Sequence, residues 1–159
     1  MPTAIQNSQI TRASLGWLTQ RTAAASGNTP LALGPTNLFT ISGGRVLLRA
    51  LIGTVTTIIQ AQATTVSLIA TPTAGTAVNL SNATLDLTGK EAGASIVLGA
   101  TLGATAVAGN AGGNGLVQLN AILQVGTINV TYGAASTGAI KWDMIWTPID
   151  LAATVVATA

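Results

Sequence analysis

The sequence feature that most constrains the fold is a long β-type segment whose apolar face changes sides. In residues 45–65, the apolar side chains occupy even positions as far as Ile52 and odd positions from Val55 onward. Side chains alternate between the two faces of a strand, so one extra residue moves every following side chain to the other face. Gly53 lies at the change. The pattern therefore predicts a corner at Gly53, where one strand serves two sheets.

A glycine pair precedes this segment and predicts a β-hairpin. Gly43 and Gly44 separate the short strand pattern of residues 38–42 from the long one, and glycine readily adopts the positive φ angles of a tight turn. A short helix over residues 45–52 is the alternative, since these residues are good helix formers. The glycines on both sides, without a capping residue, favour the strand.

A second long segment repeats the change of face. Over residues 116–132, the apolar side chains are at odd positions as far as Val125 and at even positions from Ile128. Gly126 lies between the two patterns. We therefore predict a second corner at Gly126.

The clearest single strand pattern covers residues 139–147. It places Trp142 and Trp146 on one face, and Pro148 ends the pattern because proline has no N–H to donate to a neighbouring strand. We predict that both tryptophans belong to the core. An exposed aromatic platform for stacking on sugars is the alternative.

Short strand patterns separated by Gly, Asn, Thr or Pro recur throughout residues 38–149, which is typical of a β-sandwich or barrel. We predict an all-β fold, an antiparallel β-sandwich with jelly-roll topology. An extended N-terminal arm, residues 1–37, precedes this domain, and a C-terminal tail, residues 150–159, follows it. Within the arm, a weak apolar stripe admits a short helix over residues 8–23.

The chain is unusually poor in charge. Charged residues make up 6% of it and hydrophobic residues 48%, whereas about a quarter of an ordinary globular domain is charged. A surface this neutral indicates a protein that packs against its own copies or against other proteins. The basic residues do not cluster, so we do not expect nucleic-acid binding. No stretch approaches the roughly 18 apolar residues of a membrane span, and we expect no membrane partner.

The residue types needed for common catalytic sites are missing. The chain has neither His nor Cys, so a Ser-His-Asp or Cys-His triad cannot be built. Its four carboxylates are better explained as solvated or ion-paired surface groups than as the paired acids of a glycosidase or the ligands of calcium. They are Asp86, Glu91, Asp143 and Asp150. We predict no catalytic residue, metal, cofactor or small-molecule substrate.

Two stretches predict contacts with other proteins. Trp17 is a large apolar side chain on an otherwise polar arm, which suggests docking on a partner, although folding back over the chain's own core explains it as well. If the even positions of residues 45–52 are core, basic and apolar side chains alternate on the outward face, as in a subunit interface or a solvated edge strand. The candidate interface residues are Trp17, Arg45, Leu47, Arg49 and Leu51.

Three stretches resemble small virion structural proteins of tailed bacteriophages: NLFTISGGRVL at residues 37–47, GTVTTIIQAQ at residues 53–62, and GAIKW with TPI at residues 138–149. The resemblance implies a jelly-roll-like capsid decoration or cement protein at the surface of the virion, made in the bacterial cytoplasm. It implies a homotrimer whose partners are the major capsid protein or other virion proteins. A receptor- or glycan-binding module of a tail fibre or spike, or another tail or internal virion component, is the alternative.

Overall fold

The computed structural model of the protein describes residues 16–21, 31, 33–60, 62–116 and 119–158. All regular secondary structure in these residues is β-strand, in eleven segments. In chain order they are β1 (Trp17–Gln20), β2 (Gly34–Ser42), β3 (Val46–Thr57), β4 (Thr65–Pro72), β5 (Val78–Asp86), β6 (Ser95–Val97), β7 (Val107–Ala108), β8 (Ala121–Leu123), β9 (Gly126–Tyr132), β10 (Ala139–Pro148) and β11 (Thr154–Ala157).

The strands form two antiparallel sheets that pack on one another. The six-stranded sheet has the order β1-β10-β3-β6-β7, with β8 also paired to β3, and the five-stranded sheet has the order β11-β2-β9-β4-β5. The inward residues of both sheets form one apolar core. The antiparallel β-sandwich is therefore confirmed, whereas the jelly-roll topology stays a prediction.

The chain connections gather at the two ends of the sandwich. We call one the Gly43 end; it joins β2 to β3, β4 to β5, β8 to β9 and β10 to β11 through residues 43–45, 73–77, 124–125 and 149–153. We call the other the Lys90 end; it contains residues 58–60, 87–94 and 133–138. Backbone hydrogen bonds tie the connections together at each end, from Ile149 N to Arg45 O (3.0 Å) and from Ile59 N to Lys90 O (3.0 Å).

The core contains both tryptophans of β10, as predicted. Trp142 is fully buried and Trp146 is 3% exposed. The indole Nε1 of Trp142 donates to the buried hydroxyl of Tyr132 at 3.3 Å, so the polar atom of each ring has a partner. The alternative of an exposed platform built from these two tryptophans is therefore wrong.

The change of face in β3 occurs at a bulge, but the bulge is not at Gly53. Leu48 and Ala50 lie opposite two adjacent residues of β10, which leaves Arg49 as the extra residue. Leu51 then points into the core, out of phase with Leu48 by one residue. Gly53 follows in regular pairing, and the strands paired with β3 all belong to the six-stranded sheet. The predicted corner at Gly53 is therefore wrong.

Gly53 has a different physical role, because it lies directly beneath a tryptophan ring. It is paired with Trp142, and a Cβ atom at this position would lie 2.8 and 2.9 Å from two carbons of that ring. Real Cβ atoms do not approach other atoms so closely. The glycine at position 53 makes room for the largest side chain in the core.

The corner predicted at Gly126 is confirmed. The chain leaves the six-stranded sheet at the end of β8 and enters the five-stranded sheet at Gly126, the first residue of β9. Gly126 has a φ of +156°, and a side chain there would collide with the carbonyl oxygen of Thr71 on β4. Glycine is required because the two backbones meet closely at the turn.

The turn at Gly43 and Gly44 also differs from its prediction. Both glycines have positive φ angles, of 73° and 155°, as a tight turn requires. However, β2 and β3 belong to different sheets, so the turn links the two layers and the predicted β-hairpin is wrong. The prediction of a strand rather than a helix after the turn is confirmed, since these residues form β3.

Parts of the predicted arm and tail are edge strands of the domain. β1 pairs with β10 at one edge of the six-stranded sheet, and β11 pairs with β2 at the edge of the five-stranded sheet. The sequence allowed a short helix over residues 8–23, but residues 17–20 of this stretch form a strand. Residues 8–15, 22 and 23 lie outside the described residues. Residues 34–37 belong to β2 and not to an arm.

Hydrogen bonds close both open edges of the sandwich. On one side, the buried guanidinium of Arg21, directly after β1, donates from Nε and Nη2 to the carbonyl oxygen of Thr158 at 3.1 and 2.9 Å. On the other, the amide N–H of Asn82 on β5 donates to the carbonyl oxygen of Ala104 at 3.3 Å. These bonds connect the two sheets at both edges of the sandwich.

Candidate interaction surface

The structure separates the five predicted interface residues. Trp17, Arg45 and Leu47 lie at or near the Gly43 end, whereas Arg49 lies farther along the outer face of the six-stranded sheet. Leu51 is 1% exposed and belongs to the core, so its assignment to the outward face is wrong. The cause is the bulge at Arg49, which turns every later residue of β3 to the other face.

The Gly43 end brings together large apolar side chains that remain in contact with solvent. They come from β1, β5, β8 and the connection after β10, four segments far apart in the sequence. Their exposed fractions are 45% for Trp17, 39% for Val78, 62% for Ile122, 41% for Ile149 and 107% for Leu151. Val78 and Ile122 line the same small cavity, and exposed apolar side chains at one end of a domain are typical of a protein-binding surface. Sequence reasoning found Trp17 but missed the others, because no pattern within one segment shows that residues of β5, β8 and the β10–β11 connection lie at the same end.

Trp17 is anchored on the domain and still presents part of its ring to solvent. Its ring centroid lies 5.5 Å from that of Trp146, with the two planes tilted by 41°. The indole Nε1 of Trp146 donates to Thr19 Oγ1 at 2.9 Å, which holds β1 against the edge of the sheet. Trp17 therefore packs on its own domain, the simpler of the two explanations, and is at the same time available to a partner.

An ion pair neutralises the charges of Arg45 and Asp150 at the Gly43 end. Asp150 accepts hydrogen bonds from Arg45, with Oδ2 at 2.7 Å from the backbone N and 3.0 Å from Nε, and with Oδ1 at 2.9 Å from Nη2. These bonds lower the pKa of Asp150 to about 2 and raise the pKa of Arg45. The pair also ties the β2–β3 turn to the β10–β11 connection. The end therefore has a fixed shape and no net charge from this pair.

We expect the Arg45–Asp150 pair to contribute to stability at neutral pH and to lose that contribution in acid. A carboxylate whose folded pKa is about 2, against about 3.9 in an unfolded chain, stabilises the fold above pH 4 and progressively less as the pH falls toward 2. Urea unfolding midpoints of the wild type and of Asp150→Asn, measured between pH 7 and pH 2, should differ at pH 7 and converge near pH 2. A constant difference over that range would contradict the role of the ion pair.

The Lys90 end has a different character. It carries the exposed charged side chains of Asp86 and Glu91, with Lys90 between them. Asp86 accepts hydrogen bonds from Thr88, which lower its pKa, and it is further stabilised by the charge of Lys90. Two exposed apolar residues, Leu33 and Ile58, also lie there. Charge is thus concentrated at this end of the sandwich.

The outer face of the five-stranded sheet is a neutral polar array. Thr40, Thr127 and Thr71 lie opposite one another on three neighbouring strands, and Asn37 and Asn129 form a pair in the next row. The amide of Asn129 donates to Thr127 Oγ1 at 3.0 Å and to Thr71 Oγ1 at 3.2 Å. Some of the polar side chains of this face are therefore hydrogen-bonded to one another, and the face presents no charged group among these residues.

The outer face of the six-stranded sheet contains Arg49 among apolar neighbours. Its Nη1 donates to Asn120 Oδ1 at 3.3 Å, while its Nε is buried without a hydrogen-bond acceptor. Leu18, 58% exposed, and Leu47 lie on the same face. Arg49 therefore lies at the side of the sandwich, on the same face as Leu47 and its partner on β8, Ile122.

A small cavity opens at the Gly43 end between the two sheets. Its volume is about 80 Å³. Apolar residues of β2, β4, β5 and β8 form most of its lining, and the other lining residues are polar and uncharged. The apolar residues are Ile41, Ala70, Pro72, Val78, Ile122 and Leu123. Sites for small organic ligands are usually about 300–1,000 Å³. The cavity has the size of a socket for one side chain.

The described part of the chain contains no group of three acidic side chains that could hold a metal ion. Nor does any helix long and apolar enough to cross a membrane occur among those residues. Comparison of the chain with protein-family models, with curated proteins and with solved structures found no match.

Proposed function

We propose that this protein is a non-enzymatic structural component of a bacteriophage particle, a decoration or cement protein that binds the outer surface of the capsid through its Gly43 end. The observation that carries the proposal is the group of exposed apolar side chains at that end, where the charges of Arg45 and Asp150 are paired with each other. The sequence resemblance to small virion proteins of tailed bacteriophages supports the proposal that the particle is a phage capsid. Self-association, as a homotrimer on the capsid, is part of the proposal.

The distribution of apolar and charged side chains supports a particular orientation of the protein on the capsid. A protein that binds a larger assembly with one end buries apolar side chains there and keeps charged ones in water. The Gly43 end has the apolar cluster, and the Lys90 end has Asp86, Lys90 and Glu91. We therefore propose that the Gly43 end faces the capsid and the Lys90 end faces solvent.

The proposed mechanism is mechanical, since it requires no chemical step. Apolar side chains held on a rigid sandwich lose little conformational entropy when they are buried against a partner. Each fully buried aliphatic side chain contributes about 1.5–3 kcal/mol. A few such contacts, repeated over many identical sites on a capsid, would raise the force and temperature at which the shell opens.

A glycan-binding role in a tail fibre would require a different surface from the one proposed for capsid binding. Sugar recognition commonly uses exposed aromatic rings, and the two tryptophans of β10 are buried in the core. Trp17 is the one tryptophan with a substantially exposed ring in the described residues. The geometry therefore favours a protein partner over a glycan.

The direct test is to locate the protein in purified particles and to count its copies. Particles made without the protein should remain intact under mild conditions, open at lower temperature, and recover wild-type stability when the purified protein is added. Binding is measured by co-sedimentation, and the layer by electron microscopy of decorated particles. Purified protein that does not bind capsids, or its presence only at the tail tip, would reject the decoration role.

A matched pair of substitutions tests which end binds. Ile149 and Ile58 are exposed isoleucines at opposite ends, 41% and 60% exposed. We expect Ile149→Asp to weaken capsid binding at least tenfold, because it places a charge in the apolar contact, and Ile58→Asp to bind like the wild type. Both variants should unfold at similar urea concentrations. Equal binding by the two variants would show that the Gly43 end is not the docking surface.

A further inference from the structure

We infer that the cavity at the Gly43 end receives the side chain of Leu151 from a second copy of this chain. Each copy would then offer one leucine and accept another, so that copies associate side by side. The inference rests on the self-association part of the proposed function and specifies the contact. It does not require the capsid.

The size and lining of the cavity select the occupant. At about 80 Å³ it is larger than the roughly 30 Å³ occupied by a water molecule and smaller than the roughly 150 Å³ cavity that accepts benzene. It therefore has room for a small aliphatic side chain. Ile41 and Leu123 are buried in its wall, while Val78 and Ile122 remain exposed at its rim. A leucine in this cavity would bury apolar surface on both partners.

Leu151 is the matching projection. It is 107% exposed, the highest value among the large apolar side chains of the described residues. Its connection is held firmly: Asp150 is bonded to Arg45, Ala153 N donates to the carbonyl oxygen of Asp150 at 2.9 Å, and Gly43 packs against the backbone of Ala152. A leucine presented on a fixed turn costs little entropy when it is buried.

The positions of projection and cavity determine the type of contact. Leu151 lies between β10 and β11, whereas the cavity lies among β2, β4, β5 and β8, so different patches of the same end meet. Such a heterologous contact generates a ring when its rotation closes. The charges next to Leu151 are already paired within one copy, and Gln124 and Thr127 beside the cavity are neutral. The contact therefore buries no unpaired charge from these groups.

Directed disulfide formation tests the contact, because the wild-type chain has no cysteine. The variants Leu151→Cys and Val78→Cys are purified separately, mixed at equal concentration and oxidised. The control mixture pairs Leu151→Cys with Thr57→Cys, an exposed position at the far end of β3. We expect the yield of mixed disulfide with Val78→Cys to be at least ten times the yield in this control. Equal yields from the two mixtures would overturn the inference.

The association state of the free protein separates this inference from the broader proposal. Sedimentation should show an oligomer for the wild type and at least tenfold weaker association for Leu151→Asp, which should fold because Leu151 is fully exposed. An oligomer that Leu151→Asp leaves unchanged would reject the Leu151 contact and retain self-association. A wild type that is monomeric at all concentrations would reject both, while capsid binding by the Gly43 end would still be tested by Ile149→Asp.

Discussion

Replacing Gly53 with Val should destabilise the domain by about 3 kcal/mol, the upper part of the range for overpacked cores. The added Cβ would lie 2.8 and 2.9 Å from two ring carbons of Trp142 and 3.1 Å from Cγ2 of Ile140. Trp142 is fully buried, so its ring can move only by displacing other core side chains. The expected result is a lower urea midpoint with an unchanged denaturant slope.

The control for this substitution is Gly115→Val. A Cβ at Gly115 meets nothing within 4 Å, and its φ is not positive, so the change should stay within about 0.5 kcal/mol of the wild type. Combining Gly53→Val with Trp142→Leu should cost less than the sum of the two single changes, because the smaller side chain vacates the space. Strict additivity would show that the ring is not the obstacle.

Raising the pH from 10 to 12 should remove about 2 kcal/mol of stability through Tyr132 alone. Burial raises the pKa of Tyr132 to about 12, against about 10 in an unfolded chain. The folded state therefore keeps the proton over a range in which the unfolded state has lost it. Stability from this group is complete below pH 10 and declines as the pH rises toward 12, since each pKa unit corresponds to about 1.4 kcal/mol.

Two measurements isolate this effect. The chain has one tyrosine, so the absorbance of tyrosinate reports Tyr132 directly. The variant Tyr132→Phe should lose about 1 kcal/mol at pH 8, because the indole N–H of Trp142 loses its acceptor, and should lose less further stability above pH 10 than the wild type. A tyrosinate transition near pH 10 in the folded protein would contradict the predicted burial effect.

The predictions that succeeded relied on side-chain alternation along short stretches of sequence. The alternation in residues 139–147 placed Trp142 and Trp146 in the core, and the change of phase at Gly126 marked the passage between sheets. In both cases the side-chain pattern changes or ends at the same residues as the strand itself. Local alternation therefore carried the information directly.

The predictions that failed required knowledge of the strand partner. The apolar pattern of β3 is compatible with a change of face anywhere between Arg49 and Gly53, because Leu51 and Ile52 are both apolar. Pairing with β10 places the bulge at Arg49, and this buries Leu51. A glycine that accommodates a tryptophan ring on the next strand has the same sequence appearance as a glycine at a bend.

Strand periodicity and composition are local properties, so they were sufficient to predict a β-sandwich with a neutral surface. Which residues share a surface depends on how the strands pair and pack. Val78, Ile122, Ile149 and Leu151 all lie at the Gly43 end because the strands that carry or flank them begin or end there, and no pattern within one segment encodes that placement. Exposure depends on neighbours contributed by distant strands, so the candidate interaction surface appears only when those strands are paired.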